Sequence, residues 1–424
     1  MEKTLYENYI AILENELLPA MGCTEPIAVA YCAALARKTL TDVPERVEIS
    51  VSGNILKNVK SVVVPNTGGL RGIAAAAAAG IVAGESDKKL EVLSRVSEQD
   101  KARIQDYCSR TKITVTQAHT GCIFDIGVRA FAPCGEAFVR IAGHHTNVVK
   151  IERNGKVLFD CETPEEDCCV YKGLSVENIV TFANEVDPDD IKEVLERQIA
   201  YNTAIAREGL NNDYGARIGK VLLAAFGNDV HNRAKATAAA GSDARMNGCS
   251  LPVVIVSGSG NQGMTASLPV IVYAEHLGVP HEKLLRALAL SDLITVHLKS
   301  GIGRLSAFCG AVSAGCGAGA GVCYLYGGGY EEIARTLVNA LAIDSGIVCD
   351  GAKSSCAAKI ASAVEAGLVG MEMCRHGSQF HGGDGILEQC VESTIENVGD
   401  LARKGMRETD EEIIRLMIKN IESK

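Results

Sequence analysis

The chain has 424 residues, a formal net charge of −10 and no tryptophan, and aromatic residues make up only 4% of it. Its length predicts two or three domains with a large buried core, since most domains contain about 100–200 residues. An acidic chain without a basic block is poorly suited to nucleic acids or anionic membrane surfaces, and few aromatic side chains are present to stack on bases or sugars. We therefore expect no nucleic-acid partner and no membrane partner.

The N-terminal segment, MEKTLYENYIAILENELLPAMG, is acidic and amphipathic and does not resemble a signal peptide. Apolar stretches are interrupted before about 18 positions, so no transmembrane helix is predicted. We expect a cytoplasmic protein. Because thiols stay reduced in the cytosol, the 16 cysteines are not expected to form disulfides. Most of them are expected to be small buried hydrophobic residues.

The first half of the chain alternates between helix and strand patterns. Apolar periodicity and alanine-rich runs predict helices over residues 5–19, 27–38, 70–84 and 88–106. Runs rich in β-branched residues predict strands over 47–51 and 61–64, and strands with hairpins over 113–151 and 157–171. Asn154-Gly155 lies between two apolar runs and predicts a hairpin turn.

From Ser175 onward the pattern is mainly helical, with small-residue segments over 234–240, 310–322, 337–342 and 357–366. Helices faced by alanine and glycine can approach one another closely. Pro188 follows an acidic turn and marks a plausible boundary. The predicted fold class is α+β, with a mixed α/β domain over 1–190 and a mainly α-helical domain over 191–424.

The segment GCTEP places Cys23 between a glycine and a proline, at the predicted start of a helix. The positive end of a helix dipole lowers the pKa of a thiol, so Cys23 is a candidate reactive cysteine. The alternative is a buried capping cysteine with no chemical role.

The segment SGSGNQG follows a strand-like run, and its three glycines allow backbone amides to point into one cavity. Such a loop suits an anion, although its spacing matches neither a Walker motif nor a dinucleotide fingerprint. Arg245, in the nearby segment SDAR, is a candidate for a bidentate contact with a carboxylate. A loop between helices and a surface ion pair are the alternatives.

Cys309, Cys316, Cys349 and Cys356 form a series in the second half. No CxxC pair occurs among them, which excludes a zinc ribbon or a ferredoxin-type run. Three thiolates would leave one iron of a 4Fe–4S cube open, which is what a Lewis-acid role requires. From spacing alone, packing cysteines in a helical core remain the simpler interpretation.

Two polar turns follow strand-like runs: PNTGG, with Asn66 and Thr67, and GHHTN, with His144, His145, Thr146 and Asn147. Adjacent histidines on a strand point to opposite faces, so a zinc site is not predicted here. Either turn could polarise or bind a carboxylate.

Taken together and in this order, these motifs resemble the L-cysteine desulfidase family, which is related to the catalytic chain of iron–sulfur L-serine dehydratases. The resemblance covers residues 5 to 420 approximately. It rests on GCTEP, PNTGG, GHHTN, SDAR, SGSGNQG, RLSAFC and IVCDGA…SC.

The resemblance implies a cytoplasmic carbon–sulfur lyase that carries an oxygen-sensitive 4Fe–4S cluster and converts L-cysteine to pyruvate, ammonia and hydrogen sulfide. It places the cluster ligands on Cys309, Cys349 and Cys356, although the dehydratases space the last two further apart. Cys316 is the rival ligand, and Cys23 matches a family cysteine that we interpret as the proton acceptor.

The same resemblance implies substrate-binding roles for the polar turns and the glycine-rich loop. The residues concerned are Asn66, Thr67, His144, His145, Thr146, Asn147, Arg245, Ser257, Ser259, Asn261 and Gln262. Iron–sulfur L-serine dehydration is the nearest alternative function. A pyridoxal-phosphate lyase using Lys57, Lys220 or Lys353, and a thiol-rich redox sensor, are more distant ones. A homodimer is compatible with the small-residue helices.

Overall fold

The computed structural model describes residues 1–161, 171, 173–303 and 305–422 of the chain. Its helices up to residue 110 are α1 (Lys3–Glu16), α2 (Thr24–Leu40), α3 (Gly53–Val59), α4 (Gly72–Ala83), a 3₁₀ segment (Ser86–Glu91) and α5 (Glu98–Arg110). Its strands are β1 (Pro19–Met21), β2 (Arg46–Val51), β3 (Lys112–Gln117), β4 (Asp125–Ala132), β5 (Gly135–Ala142), β6 (Val148–Arg153), β7 (Lys156–Asp160) and β8 (Pro252–Val254).

The remaining described elements are helical. They are α6 (Val176–Glu185), α7 (Pro188–Asn211), α8 (Ile218–Phe226), α9 (Val230–Met246), α10 (Gly260–Leu277), α11 (His281–Ile302), α12 (Ala311–Leu325), α13 (Tyr330–Ile343), α14 (Cys356–Arg375), α15 (Val391–Asp400), a π-helical turn (Leu401–Gly405) and α16 (Arg407–Glu422). The predicted α+β class is thereby confirmed.

Six strands form one sheet in the order β3-β2-β4-β5-β6-β7, in which only β2 and β3 are parallel. Val47, Ile49 and Val51 alternate with less buried residues along β2, so one face of the sheet is covered. Helix α2 covers that face, packing on β4 and β5 and against α4. The contact with α4 is close because Gly80 has no Cβ, which would otherwise lie 2.0 Å from the carbonyl oxygen of Ala30.

The strand pair β1–β8 joins the two halves of the chain, since Pro19 pairs with Val254 across 235 positions of sequence. The segment GCTEP follows β1, and the segment SGSGNQG follows β8. The hydroxyl of Thr24 donates to the carbonyl oxygen of Gly258 at 2.9 Å. Two motifs far apart in sequence are therefore held side by side.

In the helical half, α12 lies among α10, α11, α13 and α14. Glycines and alanines at the α12–α14 contact bring the two backbones together. A Cβ on Gly367 would lie 2.1 Å from the carbonyl oxygen of Gly315. Because α14 begins at Cys356, this contact also fixes the position of a predicted cluster ligand.

A Gly367→Ala substitution should lower the free energy of unfolding by about 1–3 kcal/mol, because the added methyl group has no space between the two helices. Alanine favours a helix over glycine by about 1 kcal/mol, which is too little to compensate. Urea unfolding measures the difference. The control is Gly329→Ala, where the nearest atom would lie 3.6 Å away and little change is expected. An undiminished unfolding midpoint for Gly367→Ala would contradict the close contact.

Most predicted elements match the structure, and two differ. The strand predicted over 61–64 is absent, since α3 occupies 53–59 and only Val63 makes an isolated bridge, to Arg71. The helix predicted over 88–106 is divided into the 3₁₀ segment and α5, which begins at a capping box on Ser97. Strand β7 ends at Asp160, and residues 162–170 of the last predicted strand lie outside the described residues.

The predicted Asn154-Gly155 turn joins β6 to β7, and both residues have positive φ, 49° and 76°. In the described part of the chain, no helix is both long and apolar enough to cross a bilayer. The domain boundary near residue 190 stays a prediction, and Pro188 begins α7.

Candidate active site

A cavity with a free volume of about 100 Å³ lies where the segments after β1 and β8 meet the ends of α9, α11, α12 and α14. Such a cavity suits a small ligand. Eight of the residues singled out in the sequence line it. They are Cys23, Arg245, Ser259, Asn261, Gln262, Cys309, Cys349 and Cys356.

Cys309 and Cys349 lie next to each other because two loop segments pair as a short antiparallel ladder. The amide of Cys309 donates to the carbonyl oxygen of Ile347 at 2.8 Å, and the amide of Cys349 donates to that of Ala307. Phe308 and Val348 form the bridge between them. The ladder brings the two thiols close enough for each to change the pKa of the other.

Cys356 is the first residue of α14 and its Sγ contacts the carbonyl oxygen of Gly351 at 3.8 Å. The loop from Cys349 to Cys356 thus leaves the ladder and returns to the same cavity. Cys356 also packs against a small apolar cluster that contains Cys23. Burial raises the pKa of the Cys356 thiol. All four thiols therefore lie in one region.

Two buried lysines flank Cys349, and sequence reasoning gave neither of them a role at the thiols. The hydrogen bond from Cys309 lowers the pKa of Cys349, and the charges of Lys57 and Lys299 lower it further. Lys299 lines the cavity, whereas Lys57 lies behind it, paired with Asp410 of α16. The lysines favour thiolates, the form of cysteine that binds iron.

The three cysteines Cys309, Cys349 and Cys356 fit an iron–sulfur cube better than a single ion. Within the described ranges, no three His, Cys, Asp or Glu side chains converge on one metal position. A 4Fe–4S cube does not need such convergence, because each thiolate binds a different iron. Three thiols spread over one cavity wall, with the Lys299 ammonium group on the same wall, satisfy that requirement.

Cys23 is the N-cap of α2, but its pKa is not lowered as the sequence predicted. Burial raises the pKa of Cys23, and the neighbouring Glu25 carboxylate raises it further, while Arg245 opposes the change. Desolvation of a thiolate outweighs the helix dipole here, so the prediction of a lowered pKa was wrong. Cys23 Sγ instead donates to Glu25 Oε2 at 3.1 Å.

Glu25 lines the cavity and was not predicted as a site residue, although it stands within GCTEP. Its carboxylate accepts from Cys23 and, at 2.9 Å, from the side-chain amide of Asn58. The Thr24 hydroxyl lies 3.1 Å from Glu25 Oε2 and 2.9 Å from the carbonyl oxygen of Gly258, and its single hydrogen serves one of the two at a time. Burial alone would raise the pKa of Glu25, but His145, Cys23 and Arg245 together lower it. The cavity therefore contains an ionised carboxylate in contact with a protonated thiol.

Arg245 lies in the last turn of α9, and its side chain is only 2% exposed. Its Nη1 donates to Asn261 Oδ1 at 3.1 Å, and its buried Nε has no hydrogen-bond partner. Among the described residues no carboxylate forms an ion pair with it. A Cβ on Gly260 would lie 2.5 Å from this Nε, so the glycine leaves the space that the guanidinium occupies. A buried cation of this kind suits an anionic ligand.

The SGSGNQG loop turns from β8 into α10 through Ser257 and Gly258, which have φ of 47° and 77°. Ser259 is the N-cap of α10, so Ser259, Asn261 and Gln262 lie at the positive end of the helix dipole. The predicted anion loop is thus a strand-to-helix turn facing the cavity. Ser257 does not line the cavity.

The turns PNTGG and GHHTN do not line the cavity either, so the direct substrate contacts expected of them have no support in the structure. Asn66 Nδ2 donates to the carbonyl oxygen of Leu93, and the Thr67 hydroxyl donates to that of Val64. Asn147 Nδ2 donates to the carbonyl oxygen of Ala142. The cavity is also not lined by the other residues of the second turn, which are His144, His145 and Thr146.

The two turns instead support the cavity wall from behind. A Cβ on Gly22 would lie 2.0 Å from Pro65 Cγ, so PNTGG packs directly against the residue before Cys23. The His145 ring packs edge-on against Phe124 and lowers the pKa of Glu25. Sequence adjacency could not distinguish this supporting position from direct contact.

Cys316 is buried in the middle of α12 and does not line the cavity. Burial raises its pKa well above the ordinary value. It packs in the helical core, so the cavity gives the rival assignment no geometric support. The lysines considered for a Schiff base also lie away from the cavity wall, since Lys57 pairs with Asp410, Lys220 with Asp213 and Lys353 with Asp350.

The fold and the site define an α+β protein with a thiol-lined cavity and a buried guanidinium. The model of the serine dehydratase alpha chain family matches residues 87–415. A UPF0597 protein of Desulfitobacterium hafniense is 58% identical over 421 residues, which cover 99% of this chain and 98% of the relative. A UPF0597 protein of Lachnoclostridium phytofermentans is 51% identical over 423 residues, covering 98% and 100%.

The chain therefore belongs to the serine dehydratase alpha chain family. This confirms the expected relation to the iron–sulfur serine dehydratases and assigns the protein to dehydratase-like lyases.

Proposed function

We propose that the protein is an L-cysteine desulfidase that uses a 4Fe–4S cluster. It removes the α-proton and the β-thiol group of L-cysteine, which leaves as sulfide. The aminoacrylate that remains tautomerises and hydrolyses to pyruvate and ammonia. The observation that carries the proposal is that three cysteines, a fourth thiol beside a carboxylate, and a buried arginine line one cavity.

Cys309, Cys349 and Cys356 would hold the cluster. When bound, the cluster supplies a Lewis acid with one open position, which makes the sulfur of the substrate a better leaving group. Lys57 and Lys299 favour the thiolate of Cys349, and Lys353 and Lys359 oppose the rise in the pKa of Cys356 that burial causes.

Arg245 and the N-terminus of α10 would bind the carboxylate of the substrate. The guanidinium has an unsatisfied Nε, and the helix adds the positive end of its dipole. Both are held by packing against glycines, so little ordering is needed when the substrate binds.

Cys23 would accept the α-proton of the substrate. In the substrate-free cavity it is protonated, and its hydrogen already points to Glu25 Oε2. The thiol proton must leave before Cys23 can accept one from the substrate, and Glu25 Oε2 is the acceptor in contact with it. The raised pKa of Cys23 and the lowered pKa of Glu25 oppose this transfer in the substrate-free cavity, so the proposal requires that the occupied cavity reverse the order of the two pKa values. Asn58 and His145 keep Glu25 in place and ionised.

A Cys23→Ala variant should keep the iron of the wild type and lose turnover by at least about 100-fold, the usual scale of a general base. Iron analysis and sulfide release on anaerobically prepared protein test this together. The control is Cys108→Ala on α5, since Cys108 lies outside the cavity. Loss of iron from Cys23→Ala would mean that Cys23 is a cluster ligand and not the proton acceptor.

L-serine dehydration is the second candidate, because it needs the same groups with hydroxide as the leaving group, and the family name supports it. The deciding experiment compares pyruvate release from L-cysteine and L-serine by the same cluster-loaded sample. The proposal expects a higher kcat/KM for L-cysteine, and a higher value for L-serine would replace it. The cytoplasmic location and the homodimer remain proposals based on the sequence.

A further inference from the structure

The cavity contains two buried polar atoms of opposite kind that have no hydrogen-bond partner. Arg245 Nε is a donor, and Gln262 Oε1 is an acceptor. The side chains are 2% and 5% exposed and both line the cavity. A buried polar atom without a partner costs free energy, so each one calls for a physical explanation. Of the atoms of this kind in the described residues, these two line the cavity. Their presence in one cavity indicates a ligand that supplies both an acceptor and a donor.

Each of these side chains is positioned by a glycine that leaves space for its polar end. A Cβ on Gly260 would lie 2.5 Å from Arg245 Nε, and a Cβ on Gly310 would lie 2.6 Å from Gln262 Oε1. Gly310 directly follows Cys309, so the Gln262 amide lies beside a predicted cluster ligand. Gln262 Oε1 therefore lies in the cavity wall next to Cys309.

The cavity contains a negative charge that favours a cation, set against Arg245, Lys299 and the positive end of α10. Glu25 is ionised and lines the same cavity. Its two oxygens already accept from Cys23 and Asn58, so about half of its acceptor positions are in use. Glu25 therefore supplies negative charge, while Gln262 supplies the free acceptor.

We propose that Gln262 Oε1 is the acceptor for the α-ammonium group of the substrate and that it determines the requirement for a free amino group. This inference rests on the proposed function, in which Arg245 binds the carboxylate of the same molecule. A small zwitterion would then lie between Gln262 and Arg245, with its β-carbon towards the thiols. A carboxylate without an ammonium group would leave Gln262 Oε1 buried and unsatisfied.

The experiment measures dissociation constants by calorimetry on anaerobically prepared, cluster-loaded protein. The probes are L-alanine, which has both charged groups but no leaving group, and propanoate, which lacks the ammonium group. The wild type should bind L-alanine at least about 10-fold more tightly than propanoate, the scale of a charged hydrogen bond. Gln262→Leu should abolish this preference and leave propanoate binding unchanged.

Two further variants make the outcome decisive. Gln262→Glu keeps an acceptor and should retain the preference for L-alanine. Gln99→Leu, at an exposed first-turn glutamine of α5, is the matched control and should behave as the wild type. Equal losses for both probes in Gln262→Leu, or a wild type without a preference, would overturn the inference. If instead L-alanine binds as described but L-cysteine is not converted, the proposed function fails and this inference stands.

Discussion

A Cys349→Ala variant purified without oxygen should contain almost no iron, and a Cys316→Ala variant should contain as much as the wild type. Cys349 lines the cavity beside Cys309, and the charges of Lys57 and Lys299 lower its pKa. Removing it leaves only two of the three thiols that would hold the cluster. Loss of turnover should exceed the roughly 10- to 100-fold effect of changing a group that only supports a metal ligand.

Cys316 provides a matched control, because it is also a cysteine of the helical half but is surrounded by α12 packing. Iron and acid-labile sulfide analysis of both variants, together with their thermal unfolding, separates loss of the cluster from loss of the fold. A fully loaded Cys349→Ala variant would remove this residue from the ligand set. A cluster missing only in Cys316→Ala would restore the rival assignment.

An Arg245→Met variant should lose substrate binding and yet fold at least as stably in the cluster-free form. The guanidinium is buried and forms no ion pair with the described carboxylates, so it costs stability in the absence of a ligand. Methionine has similar length and no charge. We expect the free energy of unfolding to be unchanged or higher by about 1 kcal/mol.

The same variant should raise KM for L-cysteine by at least about 30-fold, or about 2 kcal/mol, with a smaller change in kcat. A carboxylate contact made equally before and during the reaction contributes to KM and not to kcat. Arg245→Lys keeps the charge but loses the planar fork and should fall in between. Steady-state kinetics test the expected change in KM, and urea unfolding tests the expected change in stability. An unchanged KM, or a large loss of stability, would mean that Arg245 is structural.

Local sequence patterns were sufficient to predict most of the fold. The alanine run of α4 and the Asn154-Gly155 turn carry their conformations in a few neighbouring residues. The strand predicted over 61–64 was wrong because the valines of this segment are buried by tertiary packing after α3. Val64 is fully buried without belonging to a strand. A β-branched run indicates burial on a pleated surface only where such a surface exists.

The site was predictable in its residue types more than in its geometry. Cysteines, an arginine and a glycine-rich loop stand out in a sequence, and the structure brings eight of those residues to one cavity. Glu25 was missed because an acidic residue in the first turn of a helix is common. Lys299 was missed because it lies within the long α11 and only the tertiary fold places it beside Cys349. The rise in the pKa of Cys23 depends on burial, which the GCTEP motif does not encode.

The most direct test of the central claim is the iron and inorganic sulfide content of the wild-type protein prepared without oxygen. The account predicts about four of each per chain, as one 4Fe–4S cube requires, and their loss on exposure to air together with sulfide release from L-cysteine. A metal-free protein that still converts L-cysteine at an undiminished rate would contradict it.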